Sequence, residues 1–218
     1  MLRVAIDGPG GTGKSTVAKA IAERFNIEYI DTGAMYRAIA LKAGRLGVDA
    51  ADEAAVQSML EDTVIDFADG GVKLDGESVE GFIRTNEISM AASDISKLAC
   101  VRAKVDEVSK HLAATKDVVM EGRDIGTAVI PDAEVKIFMT ADPAIRAKRR
   151  YNQLKEQGKE ADLDKIAKEI EARDYQDANR AINPLKQADD AVFLDTSELT
   201  LEENINAVSE IIKKKMQA

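Results

Sequence analysis

The stretch Val4-Ala5-Ile6-Asp7-Gly8-Pro9-Gly10-Gly11-Thr12-Gly13-Lys14-Ser15-Thr16 decides how the rest of the chain is read. Gly8 to Ser15 spell G-x-x-x-x-G-K-[ST], preceded by a short apolar run and followed by a pattern in which Val17, Ile21 and Phe25 recur four apart. A buried strand feeding a glycine-rich turn that opens a helix is the context that gives this motif its chemistry. Glycines let backbone N–H groups turn inward without Cβ clashes, and the helix N-terminus adds its positive end at the same point. Gly8, Pro9, Gly10, Gly11, Thr12, Gly13, Lys14, Ser15 and Thr16 are therefore expected to cradle a polyphosphate. Lys14 would reach its outer phosphates, and the Ser15 hydroxyl would be offered to Mg²⁺.

Working outward, short apolar runs at Val4–Ile6, Glu28–Ile30, Val118–Met120, Val135–Phe138 and Ala191–Leu194 alternate with helical patterns. That alternation predicts an α/β fold, a doubly wound five-stranded parallel sheet with helices on both faces. Asp7, Asp31, Glu121 and Asp195 close these runs, and ligands of such folds bind beyond the carboxyl ends of the strands. Between Thr63 and Ile83 the rhythm breaks. Val64-Ile65-Asp66-Phe67, Val72-Lys73-Leu74 and Ser78-Val79 are separated by Asp69-Gly70-Gly71 and Asp75-Gly76-Glu77, which are hairpin signals. An inserted antiparallel subdomain over 63–83 is expected, the alternative being a long irregular loop. Helix resumes over Arg84–Ala114. The last helix, Leu201–Met216, ends in Lys213-Lys214-Lys215, cations that complement its dipole.

With 218 residues the chain suffices for one well-buried domain over 1–218, and 45% apolar with 32% charged residues is ordinary for a globular protein. The single cysteine, Cys100, excludes an internal disulfide and a cysteine-based zinc site; it and the single histidine, His111, read as plain helix residues. The first apolar run reaches Asp7 too soon for a signal-peptide core, and no run approaches a membrane span. A cytoplasmic monomer without membrane partners is expected. A formal net charge of −9 argues against wrapping nucleic acid. A small anionic substrate remains open if the arginines are gathered locally.

They are gathered after strand ends. Asp31-Thr32-Gly33-Ala34-Met35-Tyr36-Arg37 places Thr32 as the expected helix cap and Arg37 just over one turn beyond it, positioned for a second phosphate. Glu121-Gly122-Arg123-Asp124-Ile125-Gly126-Thr127 reads as a tight loop at the sheet edge. Asp142-Pro143 starts a helix on which Arg146, Arg149 and Arg150, at i, i+3 and i+4, share a face. This segment, 144–164 with Gly158 at its turn, is expected to be a mobile lid. Arg173, Asp177 and Arg180 form one stripe of the next helix, which Asn183-Pro184 ends. Singly, each arginine is ordinarily a solvated surface residue; their shared place beyond one sheet edge is what points to an anion site.

At these residues the chain resembles the bacterial cytidylate kinases. The resemblance rests on Ile6-Asp7-Gly8-Pro9 with the loop through Thr16, Asp31 to Arg37, Ile83-Arg84-Thr85, Ala91-Ala92-Ser93 and Val101-Arg102. Gly122 to Thr127, Arg173-Asp174, Asn179-Arg180-Ala181, Pro184-Leu185 and the hairpins of 63–83 complete it. Thr32 stands where that family often has serine, and Gly10 where it has serine or alanine. The resemblance implies a nucleoside monophosphate kinase-like P-loop fold, with a monophosphate-binding region over about 32–115. It further implies transfer from ATP, with Mg²⁺, to CMP and dCMP, UMP being a poor substrate. By the same resemblance Ser93, Arg102 and Asp124 read the cytosine, and Arg173 and Asp177 hold the sugar. Thr32, Arg37, Arg123 and Arg180 bracket phosphate, while Arg146, Arg149 and Arg150 close on ATP beside Lys14. Two alternatives stay open: a P-loop kinase of another small acceptor, and a nucleotide-binding switch. The switch is disfavoured by the lack of an Asn-Lys-x-Asp guanine-reading motif.

Overall fold

The apolar run before the phosphate loop becomes strand β1 (Arg3–Asp7), in which Val4, Ala5 and Ile6 have no exposed surface. Burial on both faces is why the run is continuous instead of alternating. The structure is a computed structural model and describes residues 1–68 and 71–217. Asp69 and Gly70, expected in the first hairpin turn, lie outside the described residues. Parallel partners lie on one side: β7 (Val135–Thr140) pairs with β1, Ile6 opposite Ile137, and β8 (Val192–Asp195) pairs with β7, Met139 opposite Leu194. With β2 (Glu28–Asp31) and β6 (Val118–Gly122) they form a five-stranded parallel sheet of order β2-β6-β1-β7-β8.

Contacts divide the chain into two compact units, Met1–Ile27 with Val119–Ala218, and Glu28–Val118. In the first, α1 (Lys14–Phe25) packs on α8 (Leu201–Met216), and α6 (Pro143–Glu156) on α7 (Leu163–Asn179). A π-helical turn over Ile125–Val129 comes after β6. The passage from β1 into the loop is sterically demanding. Gly8 has φ +145°, and a Cβ there would lie 1.9 Å from the Met139 carbonyl oxygen, so only glycine lets the loop cross β7 this closely.

The second unit holds α2 (Thr32–Leu46), α3 (Glu53–Glu61), α4 (Asn86–Ile95) and α5 (Ala99–Thr115). The expected helical return is thus two helices, separated at residues 96–98. Between α3 and α4 runs an antiparallel sheet, β3 (Ile65–Ala68), β4 (Gly71–Leu74) and β5 (Glu77–Ser78). Ile65 faces Leu74 and Phe67 faces Val72, all four buried, which is the alternation seen in the sequence. Asp75 and Gly76 turn the second hairpin with φ 50° and 83°, the left-handed pair that favours Asp-Gly. Among the described residues no helix is long and apolar enough to cross a membrane.

Candidate active site

Helix α1 begins with its N–H groups unclaimed by any capping side chain: its N-cap is Gly13, at φ 94°. An uncapped helix start at the end of a glycine loop is a ready anion site. Lys14 is buried there and its Nζ donates to the Pro9 carbonyl at 2.6 Å. Burial, reinforced by the Arg123 charge, pushes the Lys14 ammonium down to about 7. An arriving anion would reverse that pressure. Ser15 and Thr16 are exposed in the first turn of α1, and Thr12 is buried.

Arg146, nearly fully buried, grips the loop from outside. Its guanidinium donates to the Ala141 carbonyl at 2.9 Å and the Gly10 carbonyl at 3.0 Å, and forks onto Asp174 at 3.1 and 2.5 Å. Two further ion pairs tie the loop after β6 to the end of α7: Arg123 to Asp177 at 2.7 Å, and Arg180 to Asp124 at 2.8 Å. Burial pushes the Asp177 carboxyl up, but Arg123, Arg173 and Arg180 outweigh it and hold it below the usual carboxylate range. Arg173, though exposed, also bears on Lys14. Lys14, Arg123, Asp124, Arg146, Arg173, Asp177 and Arg180 are thereby brought into one neighbourhood of the first unit.

Arg146, Arg149 and Arg150 stand on α6 at the expected i, i+3 and i+4 positions, but their guanidinium groups do not converge. Arg149 turns to Thr196, Nη1 to the hydroxyl at 3.2 Å and Nη2 to the carbonyl at 2.5 Å, while Arg150 bonds Gln153 of its own helix at 2.8 Å. Side chains this long take their direction from the nearest acceptor, so neighbouring positions on a helix end in different places.

Asp7, expected only as one of the strand ends that line the site, takes a definite part in it. Its carboxyl, buried at the end of β1, accepts the Ile125 N–H at 2.8 Å and the Gly126 N–H at 2.7 Å, and so clamps the turn just beyond Arg123 and Asp124. Burial pushes it up to about 6, against the help of those two N–H groups. The available signal was its place as an acid closing an apolar strand. Asp174 was quoted only as part of the resemblance, without a role, and Thr196 was missed; nothing in the local sequence tells which groups they meet.

In the second unit the cap of α2 is Asp31, not Thr32. Asp31 is extended (φ −92°, ψ 94°) and accepts the Ala34 N–H at 2.9 Å, while Thr32 is the first helical residue and buried. The other Asp31 oxygen receives Arg37 at 2.8 Å and Arg84 at 3.0 Å. Burial pushes the Asp31 carboxyl up, but both arginines and the Ala34 N–H hold it below the usual range. Two cations converging on one oxygen is the arrangement a phosphate would also satisfy. Arg102 is buried with its guanidinium 5.8 Å from the Tyr36 ring centre and 3.5 Å from the Ser96 carbonyl; Ser93, half-buried on α4, accepts the Ser96 hydroxyl on its carbonyl at 2.9 Å.

The family model described as cytidylate kinase matches residues 4–214. A cytidylate kinase of Lactobacillus johnsonii is 49% identical, aligned over 100% of this chain and 96% of its own length. Another, of Thermosipho melanesiensis, is 43% identical over 98% and 97% respectively. Among solved structures, a shikimate kinase of Bacteroides thetaiotaomicron superposes with TM-score 0.50 at 15% identity, covering 97% of this chain and 98% of that one; this likeness speaks to fold alone.

Proposed function

The chain belongs to the cytidylate kinase family, and from that premise we propose that it transfers the γ-phosphoryl group of ATP to CMP and dCMP, with UMP a poor acceptor. The observation that supports this most is the pairing of buried Asp124 with Arg180, beside Arg123–Asp177 and the uncapped start of α1. It combines a carboxylate for a base with cations for a travelling phosphate.

An acceptor phosphate, with a second pKa of about 6, is largely dianionic near neutral pH, so its oxygen attacks without a general base. The barrier is the approach of two polyanions. Arg123 and Arg180, now neutralised by Asp177 and Asp124, exchange those partners for phosphate oxygens, and Lys14 leaves Pro9 for the outer phosphates of ATP. Charge then moves in line between fixed cations. Arg146 keeps the loop backbone in place as the fixed root of the segment 144–164, whose remainder acts as a lid that excludes water, with Arg149 and Arg150 serving ATP. Within Glu28–Val118, which contains the expected monophosphate-binding region, Thr32 and Arg37 serve the acceptor's phosphate, and Ser93 and Arg102 its base. Arg173 and Asp177 serve the sugar hydroxyls.

Asp124 supplies the specificity. Cytosine offers its N4 amine to a carboxylate, whereas uracil would turn an O4 acceptor toward it, a difference of roughly 1–3 kcal/mol for one good pair. Among the described residues no three His, Cys, Asp or Glu side chains group as a metal site. The exposed Ser15 hydroxyl is a single hard oxygen donor, which fits Mg²⁺ held mainly by nucleotide phosphates. When bound there, Mg²⁺ offsets phosphate charge.

A coupled assay of ADP release over a panel of monophosphates and small alcohols tests the assignment. CMP and dCMP should be the best acceptors, and a different best acceptor would make this a kinase of another substrate. Asp124→Asn should narrow the CMP-over-UMP ratio by about tenfold or more, since an amide serves either exocyclic group. An unchanged ratio would remove Asp124 from base reading.

A further inference from the structure

The residue after β8, Thr196, has no exposed surface. Its N–H prolongs the strand pairing by donating to the Thr140 carbonyl at 2.8 Å. Its hydroxyl proton is shared between the Thr140 carbonyl at 2.9 Å and the Thr12 carbonyl at 3.1 Å, and its oxygen accepts from Arg149. One buried hydroxyl therefore joins β7, the arginine helix α6 and the phosphate loop.

The contact to Thr12 matters through the peptide bond that Thr12 shares with Gly13. That peptide is planar and trans, so a carbonyl fixed on one side fixes the Gly13 N–H on the other. Gly13 has no side chain to brace it: it lies at φ 94°, no atom beyond its chain neighbours lies within 4 Å of where a Cβ would be, and its own restraint is its carbonyl, which accepts the Val17 N–H at 3.0 Å. Thr12 is fully buried and its own hydroxyl donates to the Pro9 carbonyl at 3.3 Å, and the Thr196 hydroxyl adds the direct restraint on the Thr12 carbonyl. We propose that Thr196 is a positioning residue of the phosphate loop, pinning the Thr12 carbonyl so that the Gly13 N–H keeps the orientation that ATP binding uses. The inference rests on the reading that this loop holds ATP. Its sense is set by Arg149, which donates to the hydroxyl oxygen and so leaves the hydroxyl proton for the carbonyls. Strand pairing with β7 runs through the backbone N–H and survives a change of side chain.

Thr196→Val keeps the shape and removes the proton; Thr196→Ser keeps the proton. Steady-state KM and kcat for ATP and CMP, with ATP Kd by titration calorimetry, are measured on the full chain. Thr196→Val should raise KM and Kd for ATP about tenfold, as expected for a buried carbonyl left without its donor. The CMP KM should stay within about twofold, and Thr196→Ser should restore ATP binding to within about twofold of wild type. Thr196→Ala removes the same proton with different packing and must show the same ATP-selective loss. The proposal is overturned if the valine and alanine variants bind ATP like wild type, if both KM values rise together, or if the serine variant behaves like valine. A wild type that binds no ATP would instead overturn the kinase reading, and is seen before any variant is made.

Discussion

Among the described glycines Gly8 has the least room for a side chain, because a methyl group there would meet the Met139 carbonyl oxygen at 1.9 Å in a backbone already at φ +145°. Gly8→Ala should cost at least about 3 kcal/mol in denaturant unfolding or prevent folding, whereas Gly13→Ala, open in space but left-handed, should cost only about 1–2 kcal/mol. Equal stability of the two variants would contradict this. Asp7 gives a second residue-level expectation. Its carboxyl is raised from 3.8 to about 6, so the folded protein holds that proton more tightly than the unfolded chain does. Its contribution to stability is complete below about pH 4 and is lost as pH rises through about 6, by about 3 kcal/mol. The unfolding free energy of wild type should therefore fall relative to Asp7→Asn by about 2 kcal/mol between about pH 4 and 6, the remainder falling outside those limits. A constant difference across the range would refute it. The loop was legible because its glycines, lysine and serine are contiguous. Asp7 was legible as an acid at a strand end but its role was not, because Ile125 and Gly126 lie 118 and 119 residues away and reveal themselves only by their backbone N–H groups.

At the scale of elements, α8 occupies Leu201–Met216 as its pattern indicated, and its start is fixed by a capping box between Thr200 and Glu203. Thr200→Ala should lower stability by about 1 kcal/mol in denaturant titrations and leave turnover unchanged; no loss would mean the box contributes nothing. The start of α2 was harder to read. Asp31 and Thr32 are adjacent and both are capping types, so composition could not choose between them, and the choice fell to the residue whose backbone is still extended. All five sheet strands were legible as apolar runs, and the Asp75-Gly76 turn as a left-handed pair. The arginines of α6 were legible in number but not in direction, because Ala141, Asp174 and Thr196, which orient them, are distant in sequence or are backbone groups.

Over the whole molecule, a net charge of −9 coexists with clustered arginines because acidic side chains pair with them: in the first unit Asp174, Asp177 and Asp124 hold Arg146, Arg123 and Arg180, and in the second Asp31 holds Arg37. Each pair offsets the cost of burying a guanidinium group, and on the proposed function the same arginines turn from carboxylate to phosphate oxygens. The central claim is that these cations deliver a phosphoryl group to a nucleotide and not to water. Following the terminal label of γ-labelled ATP, incubated with Mg²⁺ and CMP, tests it most directly. The label should appear in CDP and not in inorganic phosphate, and Lys14→Ala should slow its transfer at least about tenfold with the fold intact. Label released as inorganic phosphate, or left in ATP while the wild-type protein is folded, would contradict the account.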